Sequence, residues 1–130
     1  MDILQPPGWV RPKGYSNGIA ARGRTVVVAG MVGWTAQERF ETDDFVGQAA
    51  QALRNIVAVL AEAGARPDHL VRLTWFVTDK REYLAAGKDL GAAYRAVIGR
   101  HYPVMSVVEV KGLIEDGAKL EIEATAVVPD

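Results

Sequence analysis

Few side chains in this 130-residue chain are suited to chemistry, and the carboxylate of Glu121 is the strongest candidate. Glu121 lies in a segment where polar and apolar residues alternate, which is typical of a strand with one polar face. A solvated surface carboxylate is the commoner role for such a residue. In a partly apolar cleft, however, the same group could hold and activate a water molecule as a general base.

Aromatic and hydroxyl side chains beside the ends of predicted strands are the next candidates. Tyr15 and Ser16 form a loop pair just before the first predicted strand, where a structural role is the simpler interpretation. Trp34 and Tyr102 also adjoin strand ends, and for them packing and the lining of a ligand pocket are equally good interpretations. These residues therefore do not by themselves define a site.

Several common kinds of site have no support in the sequence. The chain has no cysteine, which excludes disulfides, a thiol nucleophile and cysteine-ligated metals. His69 and His101 share no ligand spacing with a third residue, whereas a metal site needs three or four convergent ligands. No Gly-x-Gly-x-x-Gly, P-loop or Gly-x-Ser-x-Gly pattern is present. We therefore expect neither a metal nor another cofactor.

Length and charge limit the classes of partner. At 130 residues with a net charge of -1, we expect one domain that binds neither nucleic acid nor a membrane surface. Residues 1–14 contain three prolines and no long apolar run, so they predict an extended segment and no signal peptide. No stretch is long and apolar enough to span a membrane. We expect a soluble, cytoplasmic protein.

Hydrophobic periodicity predicts two helices and five strands in the order ββαβαββ. The first helix is capped by Thr42 and ends before Gly64, and the second begins with a capping box from Asp79 to Glu82 and ends at Gly99. The strands are predicted at Asn17–Ala20, Thr25–Ala29, Leu70–Thr78, Met105–Val110 and Lys119–Val128. This order predicts an α+β fold with one mixed sheet and both helices on one face. Because strands such as Thr25–Ala29 are apolar on both faces, the uncovered face predicts a homo-oligomer.

Six segments carry motifs that, in this order and spacing, resemble one known family. They are Gly14–Gly18, Val28–Val32, Gln48–Gly64, Thr74–Asp79, Tyr102–Ser106 and Glu121–Ala124. They are similar to the motifs of the Rid (RidA/YjgF) family of reactive-intermediate deaminases, and the resemblance covers nearly everything from Gly14 to Val128. It implies a chorismate-mutase-like fold and a homotrimer that binds a small molecule in clefts between subunits.

The resemblance also implies a reaction, the hydrolysis of an enamine or imine with release of ammonia and without a cofactor. In the deaminating members an arginine pairs with the substrate carboxylate, and the glutamate that matches Glu121 positions the attacking water. Both roles are physically sound, because a guanidinium binds a planar carboxylate through paired hydrogen bonds and a carboxylate can align water against a C=N carbon.

Three matched positions depart from the family pattern. Met105 stands in place of the arginine, Ala29 in place of a serine and Met31 in place of a glutamine. Loss of a desolvated charged anchor costs on the order of 2–5 kcal/mol, so we expect small imino acids to be poor substrates. Three arginines elsewhere could supply a replacement cation, although their sequence positions do not place them near Met105: Arg72, Arg95 and Arg100.

The leading hypothesis is a Rid-type hydrolase or deaminase that acts on a more apolar enamine, imine or related C–N substrate. Glu121 would position water, with Tyr15 and Ser106 as polar contacts. The apolar walls would be Met31, Trp34, Tyr102 and Met105. The alternative is a trimeric small-molecule binding protein without catalysis, which needs only a shaped cleft. We do not favour the ribonuclease activity that has been assigned to some relatives, because this near-neutral chain lacks the basic surface that RNA binding normally needs.

Overall fold

A four-stranded mixed sheet with two helices packed on one face forms the body of the computed structural model, which describes residues 1–130. The elements in chain order are β1 (Asp2–Leu4), β2 (Gly18–Ala20), β3 (Arg24–Val32), α1 (Phe45–Glu62), β4 (Leu70–Val77), α2 (Lys80–Val97), β5 (Val104–Glu109) and β6 (Leu120–Val128). The sheet order is β3-β6-β4-β5, in which β4 and β5 are parallel and the other neighbours antiparallel. This architecture is the α+β fold that the sequence predicts.

The core lies between the sheet and the helices. The apolar face of α1 is fully buried, as its periodicity predicts, and Leu53, Ile56 and Leu60 have no exposed surface. It packs against the alternate residues of β6 that point the same way, of which Leu120 and Ile122 are also fully buried. Strand alternation therefore defines a helix-covered face and an open face of the sheet.

The open face carries apolar side chains that no element of the chain covers. Val27 is 74% exposed and Val108 44% exposed, whereas Phe76 between them in the sheet is half-buried. An exposed apolar sheet face of this kind is typical of a surface that contacts another subunit. No helix combines the length and apolar character needed to cross a lipid bilayer.

The extended N-terminal segment contributes a strand that the sequence did not predict. Residues 2–4 form β1, which pairs antiparallel with β2 in a separate two-stranded sheet. The first predicted strand therefore does not join the main sheet. β3 also runs past its predicted end at Ala29, because a bulge between Val28 and Met31 lets the strand continue to pair with β6 as far as Val32.

Both helix starts were predicted at the right place but with partly wrong caps. Asp44, not Thr42, caps α1, because its backbone is extended and its carboxylate accepts a hydrogen bond from the N–H of Gly47. Asp79 caps α2 as predicted. Glu82 does not complete the capping box, since its carboxylate instead pairs with the ammonium of Lys119 at 2.9 Å. An ion pair to a distant residue has here taken the place of the local hydrogen bond of a capping box.

A buried amide connects the start of α1 to the loop before β6. Gln48 is fully buried, and its Nε2 donates to the carbonyls of Thr42 and Gly117 at 3.0 and 2.9 Å. Its Oε1 accepts from the backbone N–H of Lys119 at 2.8 Å. The side chain thus satisfies three backbone groups that have little access to water.

We expect Gln48→Leu to lower the free energy of unfolding by about 2–4 kcal/mol, because it leaves these three backbone groups without partners. Urea denaturation followed by circular dichroism measures the change. Gln51→Leu, one turn further along α1, is the matched control, since Gln51 bonds only to the side chains of Asn55 and Arg54. Equal losses in the two variants would show that the network around Gln48 contributes no special stability.

Candidate functional site

A cavity of about 640 Å³ opens between α2 and the strands β4 and β5. Fourteen residues line it, nine of them hydrophobic, and three are predicted site residues: Tyr15, Tyr102 and Met105. Its volume and apolar lining are typical of a small-molecule site. The structure thus brings the tyrosines of two distant motifs together with Met105.

Strand alternation explains why Met105 reaches this cavity. On β5, Met105 and Val107 point toward the helix-covered face, where both pack against the core. Met105 lies opposite Leu73 of β4, and Val107 lies opposite Trp75, which also lines the cavity. The strands therefore give the cavity an apolar floor at Met105 and Val107.

The loop of Tyr15 is held in place by its neighbour. Ser16 is buried, and its backbone N–H donates to the carbonyl of Pro103 at 3.1 Å. Its hydroxyl donates to the carbonyl of Tyr102 at 2.5 Å. Ser16 also forms an isolated bridge with Val104. These bonds fix Tyr15, which is 42% exposed, beside Tyr102 at the cavity.

A stacked pair of tyrosines forms another wall of the cavity. The rings of Tyr94 and Tyr102 are nearly parallel, with centroids 5.6 Å apart. The hydroxyl of Tyr94 donates to the carbonyl of His101 at 2.6 Å, and burial raises the pKa of Tyr94 well above its usual value. Tyr94 therefore remains a neutral donor that orients the stack. Burial also raises the pKa of Tyr83, a further lining residue.

One polar atom of the lining has no partner. Trp75 is 3% exposed, and its indole Nε1 is buried without a hydrogen-bond acceptor. Buried N–H groups are nearly always paired with protein or with ordered water. The indole N–H of Trp75 is therefore an exception to this rule, although another part of Trp75 lines the cavity.

Glu121 lies on the opposite, open face of the sheet. It is half-buried, it sits opposite Phe76 of β4, and its carboxylate packs on Gly30 of the β3 bulge. A Cβ atom added to Gly30 would come within 2.3 Å of Oε2, so only glycine leaves room for this carboxylate. Within a single chain, Glu121 does not line the cavity that contains Met105.

The other three predicted contacts also lie away from the cavity of their own chain. Met31 packs against the core beside Ile122, its partner on β6. Trp34 contacts Phe40 with ring centroids 5.7 Å apart. Ser106 is exposed on the open face. The predicted site is therefore divided between the two faces of the sheet.

Of the three arginines considered as a replacement cation, one lines the cavity. Arg95, on α2, is part of its lining. Arg100 instead lines a neighbouring, more polar cleft of about 440 Å³, and Arg72 is exposed on β4.

Sequence reasoning missed the contribution of α2 to the cavity. Its apolar residues pack on the core, and several of them, including Leu90, also line the cavity. The available signal was the pair Gly87 and Gly91, which lie one turn apart, because two side-chain-free positions on one helix face leave space beside it. The helix is also kinked at Gly87, whose backbone is not helical.

The fold and the ordered motifs agree with a comparison to known families. Residues 10–128 match the model of a family described as endoribonuclease L-PSP, the RidA/YjgF family. The chain belongs to the Rid family. It is 32% identical over 108 residues to a 2-iminobutanoate/2-iminopropanoate deaminase of Salmonella typhimurium, which covers 81% of this chain and 80% of that protein.

Solved structures give the same assignment. A conserved Rid-family protein of unknown function from Yersinia pestis superimposes with a TM-score of 0.82 at 30% identity, covering 98% of both chains. A Mycobacterium tuberculosis member of the YjgF/YER057c/UK114 family superimposes with a TM-score of 0.65 at 37% identity, covering 88% of this chain and 87% of that chain. The Rid fold of this chain is thus supported by both sequence and structure.

Proposed function

We propose that this Rid-family chain is a hydrolase that deaminates an enamine, imine or related C–N substrate with a substantial apolar part. The observation that carries the proposal is the mostly apolar cavity that Met105 lines together with Tyr15 and Tyr102. Similarity to a protein named as an imine deaminase supports the class of reaction. The methionine argues against small imino acids as preferred substrates, since it cannot pair with a carboxylate.

In our proposal the site is completed by a second copy of the chain in a homotrimer. The cavity and Glu121 lie on opposite faces of one sheet, so the carboxylate of one chain would serve the cavity of its neighbour. The exposed apolar side chains Val27 and Val108 supply a reason for the copies to associate over the open face. Ser106, on that same open face, would then reach the cleft together with Glu121.

The proposed reaction needs only a base, a water molecule and the substrate. Glu121 accepts a proton as the water oxygen bonds to the C=N carbon, the π electrons move to nitrogen, and Glu121 passes that proton to the nitrogen. In the carbinolamine, Glu121 then takes the hydroxyl proton and delivers it to the amine nitrogen. The C–O bond becomes a carbonyl, the C–N bond breaks and ammonia leaves. An enamine enters the same route after protonation at carbon. Tyr15 and Ser106 would hold the substrate by hydrogen bonds.

Ammonia release from a panel of imines and enamines that differ in charge and bulk tests this proposal. We expect Met105→Arg to raise the rate with the imino acid derived from 2-aminoacrylate by at least about tenfold, since the guanidinium regains a paired contact to the carboxylate. Met105→Leu is the control for side-chain size. If neither the wild type nor Met105→Arg released ammonia from any member of the panel, deamination would be the wrong function.

A trimeric binding protein without catalysis is the second candidate. The apolar floor at Met105 favours it, because binding an apolar ligand requires a shaped cavity and no reactive group. Its signature would be thermal stabilisation of the chain by a panel compound that is recovered unchanged.

A further inference from the structure

All charged groups that line the cavity are positive. They are Lys13 and Arg95, and no aspartate or glutamate is among the fourteen lining residues. The adjoining cleft, across Tyr15 and Tyr102, adds Arg11 and Arg100 and again no acidic residue. The chain as a whole has 16 acidic and 15 basic residues, so its composition does not explain this segregation. A concave surface lined by one sign of charge attracts ligands of the opposite sign.

Arg95 is free to meet such a ligand. No ion pair in the chain involves it, since those present join Arg66 to Asp68 and Lys119 to Glu82. Its guanidinium lies along α2 over Gly91, where an added Cβ would be 3.2 Å from Nη1. Because Gly91 has no side chain, the planar guanidinium of Arg95 has room at the edge of the cavity. Its N–H donors are available there to a carboxylate.

The rest of the cavity is suited to an apolar body. The stacked Tyr94 and Tyr102 and the floor of Met105 and Val107 offer aromatic and aliphatic surface. The lining thus combines apolar and aromatic surface with positive charge at Arg95 and Lys13.

We propose that the ligand of this cavity is an organic anion with an aromatic or bulky apolar body, whose carboxylate pairs with Arg95. The inference rests on the proposed function in taking this cavity as the substrate site. It adds that the arginine that binds the carboxylate lies on α2 in this chain and not at the β5 position of Met105. The carboxylate therefore lies apart from Met105. Lys13 strengthens the attraction for the anion. Small imino acids lack the body that such a site binds.

A matched pair of probes tests this proposal by isothermal titration calorimetry. The carboxylate 1-naphthaleneacetate and its neutral amide, 1-naphthaleneacetamide, have nearly the same shape and differ in charge. We expect the wild type to bind the carboxylate about tenfold more tightly than the amide, and Arg95→Gln to reduce this ratio to about twofold. Arg81→Gln, an exposed arginine of α2 outside the cavity, should leave the ratio unchanged. High salt should lower the ratio in the wild type.

Each contrary result is decisive. Equal affinities for acid and amide in the wild type, a ratio that survives Arg95→Gln, or no binding of either probe would overturn the proposal. Because binding does not require Glu121, the outcome is separable from that of the proposed reaction. A charge preference that depends on Arg95 in a protein that releases no ammonia would leave this inference standing and reject deamination. Ammonia release without that charge preference would reject this inference and leave deamination standing.

Discussion

Glu121→Gln should lower ammonia release by about a thousandfold and leave ligand affinity within about twofold, because a general base typically contributes a factor of 10² to 10⁴. The amide has the size of the carboxylate and still fits on Gly30, but it cannot take a proton from water. Steady-state ammonia release, measured with whichever imine proves to be the best substrate, gives the rate. Calorimetry with that variant gives the affinity.

Glu123→Gln is the matched control for this experiment. Glu123 lies two residues further along β6 on the same open face, opposite Thr74, and is exposed. We expect this variant to keep its turnover, since only Glu121 packs on the β3 bulge. If Glu121→Gln retained full turnover, Glu121 would have no part in the reaction, and the water would have to be positioned by another group.

Mixed trimers should recover activity from two inactive variants. Gly91→Phe should block the cavity, because Gly91 lines it in a helical turn where the nearest atom to an added Cβ is the flexible end of Arg95. Glu121→Gln removes the base but keeps the cavity open. If each site uses one chain's cavity and its neighbour's carboxylate, a site is active when a Glu121→Gln chain supplies the cavity and a Gly91→Phe chain supplies the carboxylate. Random 1:1 assembly gives this combination in about one quarter of the sites. Co-expression with two affinity tags and an ammonia assay measures the recovery.

The controls for this experiment are the two variants expressed and purified alone, together with the mass of the assembly in solution. We expect a mass three times that of one chain. A trimer of mixed composition that has no more activity than either parent would place the complete site within one chain, contrary to the proposed cleft. A mass equal to one chain would reject the trimer itself.

Local sequence pattern was sufficient to predict most elements because their burial follows from short-range periodicity. The apolar stripe of α1 and the alternation in β6 are both buried as predicted. The prediction was wrong where a distant group competes with a local one. Glu82, predicted to complete the capping box of α2, instead bonds to Lys119 from another segment. This competitor is not visible within a local window.

The candidate site was harder to predict than the fold. Sequence alternation places Met105 and Ser106 on opposite sides of β5, but it does not say which side faces the helices. The pairing between strands decides which side that is. Glu121 pairs with Phe76 and lies on the open face, whereas Met105 packs against the core on the helix-covered face. Which of the motif residues share a face of the sheet therefore follows only from strand pairing.

The family and the fold could be assigned from the amino-acid sequence alone. Motif order and hydrophobic period contain that information, since both are properties of neighbouring residues. The arrangement of the candidate site required the three-dimensional structure: Met105 lines an apolar cavity together with Arg95 and Lys13, and Glu121 lies on the opposite face of the sheet. The physical reason is that a side chain's neighbours across a sheet or beneath a helix depend on strand register and on how the helix packs. The kink of α2 at Gly87 adds to this dependence.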